Sequence, residues 1–437
     1  MQTKQNKNSL IWFRNDLRTH DNASITNSIL NSQHVVAIYC FDPRQFETTP
    51  FGFKKTEKFR AQFLIETITD LKTQLAKLNI QLFTYFDYTE TCISKLNDTF
   101  NFDAIYLQKE WTQEEVDITT KVKKIFPETI QIHDTYNQFL YHPKDINIDV
   151  ENIPQVFTNF RKKVEKYSKV RPETETISEE KDNFNIKNNT QIPSLKDLGF
   201  CEFDTHANSA FPFKGGETEA LKRLNHYFFE TKKLSVYKKT RNGLIGIDFS
   251  SKFSTWLANG SLSAKRIYWE VKHFEKEHVK NDSTYWLIFE LIWRDYFKYV
   301  SMKHGNQIFK LEGILNKEYD WSTNKNKIDN WINGTTGEPF VDANMIELKK
   351  TGWMSNRGRQ NVASYFAKEL ELDWRIGASY FESLLIDYDV HSNYGNWLYV
   401  AGVGNDPRDR KFNVKLQAER YDAKGNYQRL WLQNTLF

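Results

Sequence analysis

The greatest concentration of chemically capable side chains lies at residues 384–397, in the order Leu-Leu-Ile-Asp-Tyr-Asp-Val-His-Ser-Asn-Tyr-Gly-Asn-Trp. Asp387 and Asp389 directly follow an apolar run, so we expect them to be partly buried. A buried carboxylate needs a cationic or N–H partner. Too few further ligands lie nearby to predict a metal site. His391 has no nucleophile beside it, and we interpret it as structural rather than catalytic.

A second group lies on a segment with helical spacing, residues 285–296. Spacings of three and four residues place Glu290, Trp293 and Arg294 on one helix face. Charged groups among so many aromatic residues are costly unless they have further partners. Two interpretations stay open: an ordinary Glu–Arg pair along the helix, or a pocket for a polar ligand or a nucleic-acid base.

Hydroxyl and cationic side chains gather in the stretch 237–254. Tyr237-Lys238-Lys239-Thr240-Arg241 is followed, before a predicted helix, by Ser250-Ser251-Lys252-Phe253-Ser254. The serines would suit N-capping of that helix. The same hydroxyls, backbone N–H groups and lysine would also form an anion cradle without glycines.

Two arginines and two asparagines are packed into the stretch 353–361. A solvated basic turn would explain them. The alternative is contact with phosphates or bases, for which Arg and Asn side chains are suited. The four residues are Asn356, Arg357, Arg359 and Asn361.

The elements that position these groups begin with an α/β pattern over residues 1–140. Short β-rich runs alternate with helical patterns such as Phe59 to Leu78, which predicts a Rossmann-like parallel sheet covered on both faces. No GxGxxG follows the first strand, so we expect any dinucleotide cofactor to sit elsewhere. The five predicted strands are Ser9–Phe13, Val35–Phe41, Ile80–Phe86, Ala104–Leu107 and Thr129–His133.

The remainder divides into a connector, 141–212, and a helical domain, 213–437. The connector carries five prolines among charged and Asn residues, and we predict at most a few short helices there. The predicted helix Ser283–Val300 is apolar nearly all round and should be buried. Three helices of the final domain are predicted at Glu217–Phe229, at Ser263–His278 with Ser261 or Ser263 as N-cap, and at Ser283–Val300.

Composition restricts the partners and the compartment. The net charge of +4 allows a nucleic-acid partner without requiring one, and the 15% aromatic content suits either a large core or stacking platforms for flat rings. Three separated cysteines suggest neither a metal nor a disulfide framework, which favours the reduced cytoplasm. With no apolar run of about 18 residues, we expect no membrane span.

The motifs above resemble those of the photolyase/cryptochrome family, most closely its DASH cryptochrome branch. The resemblance rests on Leu10 to Arg18, on the WxxNRxRQ-like and DxDxxxNxGNW-like stretches, and on their order and spacing. It covers nearly the whole chain and is weakest over 141–205. Ordinary dimer photolyases carry Met and Trp at the positions of Gln360 and Tyr399. In having Gln and Tyr there, this chain resembles the DASH members.

The resemblance implies an FAD site in the helical domain. Arg359 matches the arginine that pairs with the aspartate at Asp387 beside the isoalloxazine ring. Asp389 matches the carboxylate facing the N3–H edge of the ring, and Asn393 matches the residue facing N5. Arg294 is also expected to bind the cofactor. The positions matching those that hold the FAD phosphates are Tyr237, Ser250, Ser251, Lys252, Phe253 and Ser254.

The resemblance also implies a tryptophan chain, a DNA pocket and an antenna. Trp397, Trp374 and Trp321 match the indoles that carry electrons from the surface to the flavin. Glu110 matches a carboxylate that binds the pterin of a folate antenna, expected here to be methenyltetrahydrofolate. The positions implied to receive a flipped pyrimidine dimer are Arg241, Glu290, Trp293, Asn356, Arg357, Gln360 and Tyr399.

The function expected from the resemblance is blue-light-driven repair of cyclobutane pyrimidine dimers by electron transfer from reduced FAD, in a monomer. Flipping a base from a duplex costs a few kcal/mol, and Tyr399 offers less stacking surface than Trp, so we expect a preference for single-stranded DNA. Two alternatives stay open: a photoreceptor that binds FAD and nucleic acid but signals, and a flavin electron-transfer protein with no DNA role.

Overall fold

The N-terminal part is a parallel sheet of five strands. The structure, a computed structural model, describes residues 6–185 and 187–433. The strand order is β3-β2-β1-β4-β5, and all four pairings are parallel. This confirms the predicted fold of the region, although the fifth strand begins and ends two residues later than predicted. The strands are β1 (Asn6–Trp12), β2 (Ser32–Cys40), β3 (Leu82–Tyr85), β4 (Ala104–Gln108) and β5 (Gln131–Thr135).

Both faces of the sheet are buried, because successive side chains of each strand point to opposite sides. Ile11 and Val35 belong to one apolar cluster, while Leu10 and Val36 belong to another on the opposite face. These continuous apolar strands are typical of a sheet covered by helices on both sides. The helices of this region are α1 (Ala23–Asn31), α2 (Lys58–Ala76), α3 (Thr89–Phe100) and α4 (Gln113–Lys123).

The described part of the connector contains one helix, α5 (Phe157–Tyr167), and two short 3-10 turns before it. Phe157, Phe160 and Val164 of this helix are buried in the core of the helical region. Further along, the Asn183 side chain donates to the carbonyl of Val35 at 2.7 Å and so attaches the segment to the sheet. The predicted limits of the domains, at 140 and 213, stay predictions.

The rest of the described chain is helical, as predicted. The predicted helix from Glu217 is α-helical to Asn225 and continues as a π-helical turn, His226–Glu230. The α-helices of this helical region are α6 (Glu217–Asn225), α7 (Tyr237–Thr240), α8 (Ser254–Ala258), α9 (Ala264–Glu277), α10 (Asp282–His304), α11 (Lys325–Asn333), α12 (Pro339–Thr351), α13 (Asn356–Ser364), α14 (Trp374–Leu384), α15 (Val390–Ala401), α16 (Val414–Tyr421) and α17 (Asn426–Leu432).

Helix α10 is the central helix of this region. It begins one residue before the predicted start because Asn281 and Thr284 form a capping box, and it ends four residues beyond the predicted end. Residues 295–301 of this helix are buried on all sides, but Tyr285 in its first turns is 36% exposed. Ser263 rather than Ser261 caps α9. Among the described residues, no helix combines the length and apolarity that a membrane crossing would need.

Candidate functional site

A cavity lies among helices α13, α14 and α15. These helices are adjacent because α15 packs on both α13 and α14. The cavity therefore brings together residues that are as much as 44 positions apart in the chain, Asn356 and Val400. The predicted site residues that line it are Asn356, Arg359, Gln360, Asp387, Asp389, Asn393 and Trp397.

The predicted ion pair between Arg359 and Asp387 is formed. Arg359 Nη2 donates to Asp387 Oδ1 at 2.9 Å, and Arg359 Nε donates to the carbonyl of Met354 at 2.9 Å. Ser355 caps α13 and so sets the first turn from which Arg359 projects. Only 3% of the Asp387 side chain is exposed, so the guanidinium compensates a carboxylate that water does not reach.

Asp389 has two partners that sequence reasoning did not identify. It is the N-cap of α15, where Oδ1 accepts from the backbone N–H of Ser392 at 2.8 Å, and its Oδ2 accepts from Lys298 Nζ at 2.9 Å. Burial alone would raise the pKa of Asp389, but the Lys298 ammonium and its other polar neighbours hold that pKa below the ordinary range. The sequence did contain a signal: Lys298 lies in the middle of the apolar helix α10, and a buried lysine there needs an anionic partner.

Asn393 and Trp397 lie one helical turn apart on α15 and face the same cavity. Asn393 Nδ2 donates to the carbonyl of Ala378 on α14 at 3.0 Å, which fixes the amide. The Trp397 ring packs against α14 at Gly377, where any Cβ would collide with it. Only 2% of Trp397 is exposed, and within the described residues its Nε1 has no hydrogen-bond partner.

The other two predicted members of the tryptophan chain are Trp374, on α14, and Trp321, which precedes α11. Trp374 is the first residue of α14, is fully buried, and donates from Nε1 to the carbonyl of Leu311 at 3.0 Å. Trp321 is half-buried. It is held near Trp374 because its neighbour Ser322 forms a β-bridge with Leu372. Burial thus decreases from Trp397 and Trp374 to Trp321.

Lys252 of the predicted anion cradle is buried, but the serines of that stretch do not cap the helix that follows. Helix α8 has Phe253 as its N-cap and no side-chain capping bond, so the capping interpretation of the serines is wrong. Lys252 is 2% exposed, and within the described residues its Nζ has no hydrogen-bond partner. The amine lies 3.4 Å from the centroid of the Phe249 ring. Burial lowers the pKa of Lys252 well below its ordinary value.

These side chains fit FAD. An unpartnered buried amine at a predicted phosphate position is the donor that a pyrophosphate would satisfy. The cavity offers two carboxylates and an amide to the polar edge of a flat ring, with Trp397 beside it. Tyr237, also predicted to bind the phosphates, is the first residue of α7 and is 7% exposed.

Glu290 is paired with Arg241 and not with Arg294. Arg241 Nη1 donates to Glu290 Oε1 at 2.5 Å. The guanidinium of Arg294 is directed at the carbonyls of Gln138 and Leu257 instead, at 2.6 and 2.8 Å, so the interpretation as a pair along the helix is wrong. Burial raises the pKa of Glu290 even though Arg241 counteracts it.

Aromatic rings surround Glu290. Trp293 is stacked on Phe157 of the connector, with ring centroids 3.6 Å apart, and faces Tyr399 edge-on at 6.1 Å. Trp286, which sequence reasoning missed, lies one turn before Glu290, and Arg241 lies 5.4 Å from its ring centroid. The spacing of four residues from Glu290 on the same helix would have identified Trp286.

Arg357 links this aromatic region to the cavity. Its Nη1 donates to Gln360 Oε1 at 2.9 Å, its Nη2 donates to Asn242 Oδ1 at 3.2 Å, and its guanidinium lies 4.6 Å from the Tyr421 ring centroid. Gln360 lines the cavity itself, as does the exposed Asn356 at its rim. The predicted DNA-facing residues are thus next to the predicted flavin residues.

Glu110 lies at a separate place, just beyond the carboxyl end of β4. The strand order reverses between β1 and β4, and in open α/β sheets ligands bind at such a switch point. Gln108 Nε2 donates to Glu110 Oε1 at 2.8 Å. Burial raises the pKa of Glu110 to about 7, although Arg14 partly offsets it. Gln108 Oε1 is buried without a partner in the described part of the chain.

Two family models match the chain. Residues 286–435 match the FAD binding domain of DNA photolyase, and residues 9–179 match the DNA photolyase model. The chain belongs to the photolyase/cryptochrome family, and its helical region is an FAD-binding domain of the photolyase type.

Its relatives specify the branch. The chain is 45% identical to Cryptochrome DASH of Gloeobacter violaceus over 98% of its length and 85% of the relative, and 46% identical to that of Danio rerio over 96% and 82%. A solved cryptochrome of Synechocystis sp. superposes with a TM-score of 0.94 at 44% identity, covering 99% of this chain and 90% of the other. These similarities are to the DASH cryptochrome branch.

Proposed function

We propose that this protein uses light and bound FAD to split cyclobutane pyrimidine dimers, with single-stranded DNA as its preferred substrate. Gln360 carries the proposal, because it lines the cavity predicted for the flavin and also accepts from Arg357 of the predicted DNA pocket. A dimer held there would lie next to the flavin ring. FAD, when bound and reduced, supplies the electron that light releases.

Glu290 is the acid that would meet the dimer. Its raised pKa means that it keeps a proton more readily than an ordinary glutamate, so it can donate a hydrogen bond to a pyrimidine carbonyl. Arg241 orients its carboxyl group, and Trp286 and Trp293 lie within one helical turn of it on α10. Arg357 is placed to contact a phosphate or a base.

The preference for single strands rests on Tyr399. Its ring lies edge-on to Trp293, and its hydroxyl accepts from Arg410 Nη2 at 2.6 Å. Stacking on an aromatic side chain returns about 1–3 kcal/mol per base, against a few kcal/mol for extrusion from a duplex. A smaller ring held edge-on offsets less of that cost, and an unpaired dimer avoids most of it.

A repair assay tests the proposal. FAD-loaded, chemically reduced protein is illuminated with dimer-containing oligothymidine, alone or annealed, and ultraviolet absorbance is followed. We expect absorbance to return faster for the single strand and Glu290→Gln to repair more slowly while keeping its FAD. Equal rates on both substrates would refute the strand preference.

A photoreceptor is the second candidate, favoured by the name cryptochrome that the relatives carry. Such a protein would bind FAD and oligonucleotide but restore no absorbance in the same assay. Binding without repair would therefore decide for it, and failure to bind any oligonucleotide at low salt would favour a flavin electron-transfer protein instead.

We also propose a folate antenna at Glu110. The Glu110 carboxylate and Gln108 Oε1, which has no hydrogen-bond partner among the described residues, are acceptors suited to the N–H donors of a pterin ring. Methenyltetrahydrofolate added to the protein should give a bound absorption band that Glu110→Ala loses while the flavin band stays. A band of equal strength in that variant would remove Glu110 from the antenna site.

A further inference from the structure

Trp111 follows Glu110 in the chain but packs on the helical region. Its indole is partly buried against the hydrophobic core of that region. The ring lies nearly parallel to the His391 ring of α15, with centroids 4.6 Å apart at 20°, and to the Phe139 ring, 5.6 Å away at 19°. The residue next to the proposed folate carboxylate is therefore held by the helix that carries the predicted flavin residues.

The indole N–H of Trp111 is bonded to Ser301 of α10. Trp111 Nε1 donates to Ser301 Oγ at 2.8 Å, and the same oxygen is hydrogen-bonded to His391 Nδ1 at 2.7 Å. Because Ser301 and His391 are only 2% and 3% exposed, a bond lost here would leave a buried polar atom without a partner. One hydroxyl thus joins the loop after β4 to both α10 and α15.

This contact lies beside the ion pair that holds Asp389. Ser301 is one turn after Lys298 on α10, and its hydroxyl donates to the Lys298 carbonyl at 2.7 Å. His391 is two residues after Asp389, which caps the start of α15. In a close-packed interior, a change in the position of the Trp111 ring would therefore move the segments that carry both partners of the Lys298–Asp389 pair.

The chain before Glu110 is fixed as well. Gln138 Nε2 donates to the Lys109 carbonyl at 2.7 Å, and Arg294 of α10 donates to the Gln138 carbonyl at 2.6 Å. Glu110 thus lies between two residues that are anchored to α10, Lys109 through Gln138 and Trp111 directly. The position of its backbone depends on that helix.

We propose that Trp111 is a positioning residue shared by the two cofactor sites. It fixes the backbone that presents Glu110 to the folate and, through Ser301 and His391, the start of α15 that presents Asp389 to the flavin. This inference rests on the folate and FAD sites proposed above. A ligand that orders one end of this contact reduces the freedom that a ligand at the other end must remove, so each should bind more tightly in the presence of the other.

Equilibrium dialysis of the FAD-loaded, full-length protein tests this role. The dissociation constant of FAD is measured with and without saturating methenyltetrahydrofolate. In the wild type we expect the folate to tighten FAD binding by about fivefold or more, as is typical of coupled sites. Trp111→Phe keeps an aromatic ring but loses the bond to Ser301, so the two dissociation constants should become equal. A defect of folding alone would raise both constants and leave their ratio unchanged.

Ser301→Ala removes the same bond from its other end. It should abolish the coupling too, and the double variant should be no worse than either single variant. Trp269→Phe is the matched control, because it removes an α9 indole whose Nε1 donates to the carbonyl of Arg171 at 3.0 Å. Folate that binds the wild type without changing its affinity for FAD, or coupling that survives in Trp111→Phe, would overturn this inference alone. The absence of any folate binding by the wild type would overturn the proposed antenna site as well.

Discussion

Lys298 and Asp389 form an ion pair of 2.9 Å that leaves only 4% and 11% of their side chains exposed. One partner comes from the middle of α10 and the other caps α15, so the pair joins the central helix to the helix that carries Asn393 and Trp397. Neither charge could be left alone at this depth without a large loss of stability.

Replacing Lys298 by Met should therefore destabilise the protein strongly. Removal of one partner of a buried ion pair costs about 3–5 kcal/mol because the other charge is left uncompensated. The double variant Lys298→Met with Asp389→Asn removes both charges and should recover part of the loss. Thermal unfolding of the three proteins at one pH measures this, and a double variant no better than the single one would contradict the explanation.

Lys252 should control FAD affinity and make it depend on pH. Lys252→Met should weaken FAD binding by about tenfold or more, because a charge-assisted hydrogen bond to phosphate is worth about 1.5–3 kcal/mol. Burial lowers the pKa of the Lys252 amine in the FAD-free protein. Above that pKa the amine must take up a proton when FAD binds, so the affinity for FAD should fall as the pH rises.

Titration of the apoprotein with FAD at several pH values checks this prediction, and Lys252→Arg, which keeps the charge, is the control. An identical pH dependence in Lys252→Met would show that the lysine is not the group concerned.

The tryptophan chain should be needed for photoreduction and not for FAD binding. Trp397→Phe and Trp374→Phe should keep their FAD but photoreduce it far more slowly, because each removes an indole between cavity and surface. Trp431→Phe is the control, since it removes an equally buried indole that packs on His206 instead. The rate of flavin bleaching under blue light is the measurement; wild-type rates in Trp397→Phe would remove that residue from the chain.

A buried acid outside the cavity should shape stability against pH. Burial raises the pKa of Glu347 to about 7, although Tyr427 donates to its carboxyl at 2.5 Å. Because the folded protein holds this proton more tightly than the unfolded chain does, the stability contribution is greatest below about pH 4.5 and decreases as the pH rises toward 7.

Glu347→Gln should flatten this part of the stability profile. Thermal midpoints of both proteins across that range, compared with those of Asp197→Asn at an exposed site, provide the measurement. If Glu347→Gln leaves the slope of thermal midpoint against pH unchanged, other groups are responsible for that slope.

Tyr399→Trp should narrow the difference between duplex and single-stranded substrates. A larger ring adds stacking surface, and we expect up to about 1 kcal/mol of additional affinity for a flipped dimer, a gain of a few-fold. Tyr399→Phe loses only the hydrogen bond to Arg410, so it distinguishes the contribution of the ring to binding from that of the hydroxyl. Binding of dimer-containing duplex by the three proteins is the test, and no gain with Trp would discount the ring.

Sequence patterns predicted the elements well where the cause was local. The apolar runs located the strands, and the capping rule offered Ser263 for α9. The same rule failed at α8, since the cap there is Phe253 and the serines around it do not bond to the helix. Serine at a helix start identifies a possible cap, while the backbone path decides whether its hydroxyl reaches the helix.

Partners from distant parts of the chain were beyond local reasoning. Spacing placed Glu290 and Arg294 on one face of α10, yet the cation that reaches Glu290 is Arg241, 49 residues away. The partner of Asp389 is 91 residues away. Periodicity tells which side chains share a face, but the packing of other elements decides what meets that face.

The stacking of Phe157 on Trp293 has a consequence for how this molecule can vary. A residue of the Pro- and Asn-rich stretch forms one wall of the proposed DNA pocket, at 3.6 Å from the tryptophan expected to hold the dimer. A stretch whose composition resembles a spacer would therefore be part of the proposed recognition surface. Exchanging it for a spacer of the same length would preserve the connection between the two halves and alter what the pocket accepts.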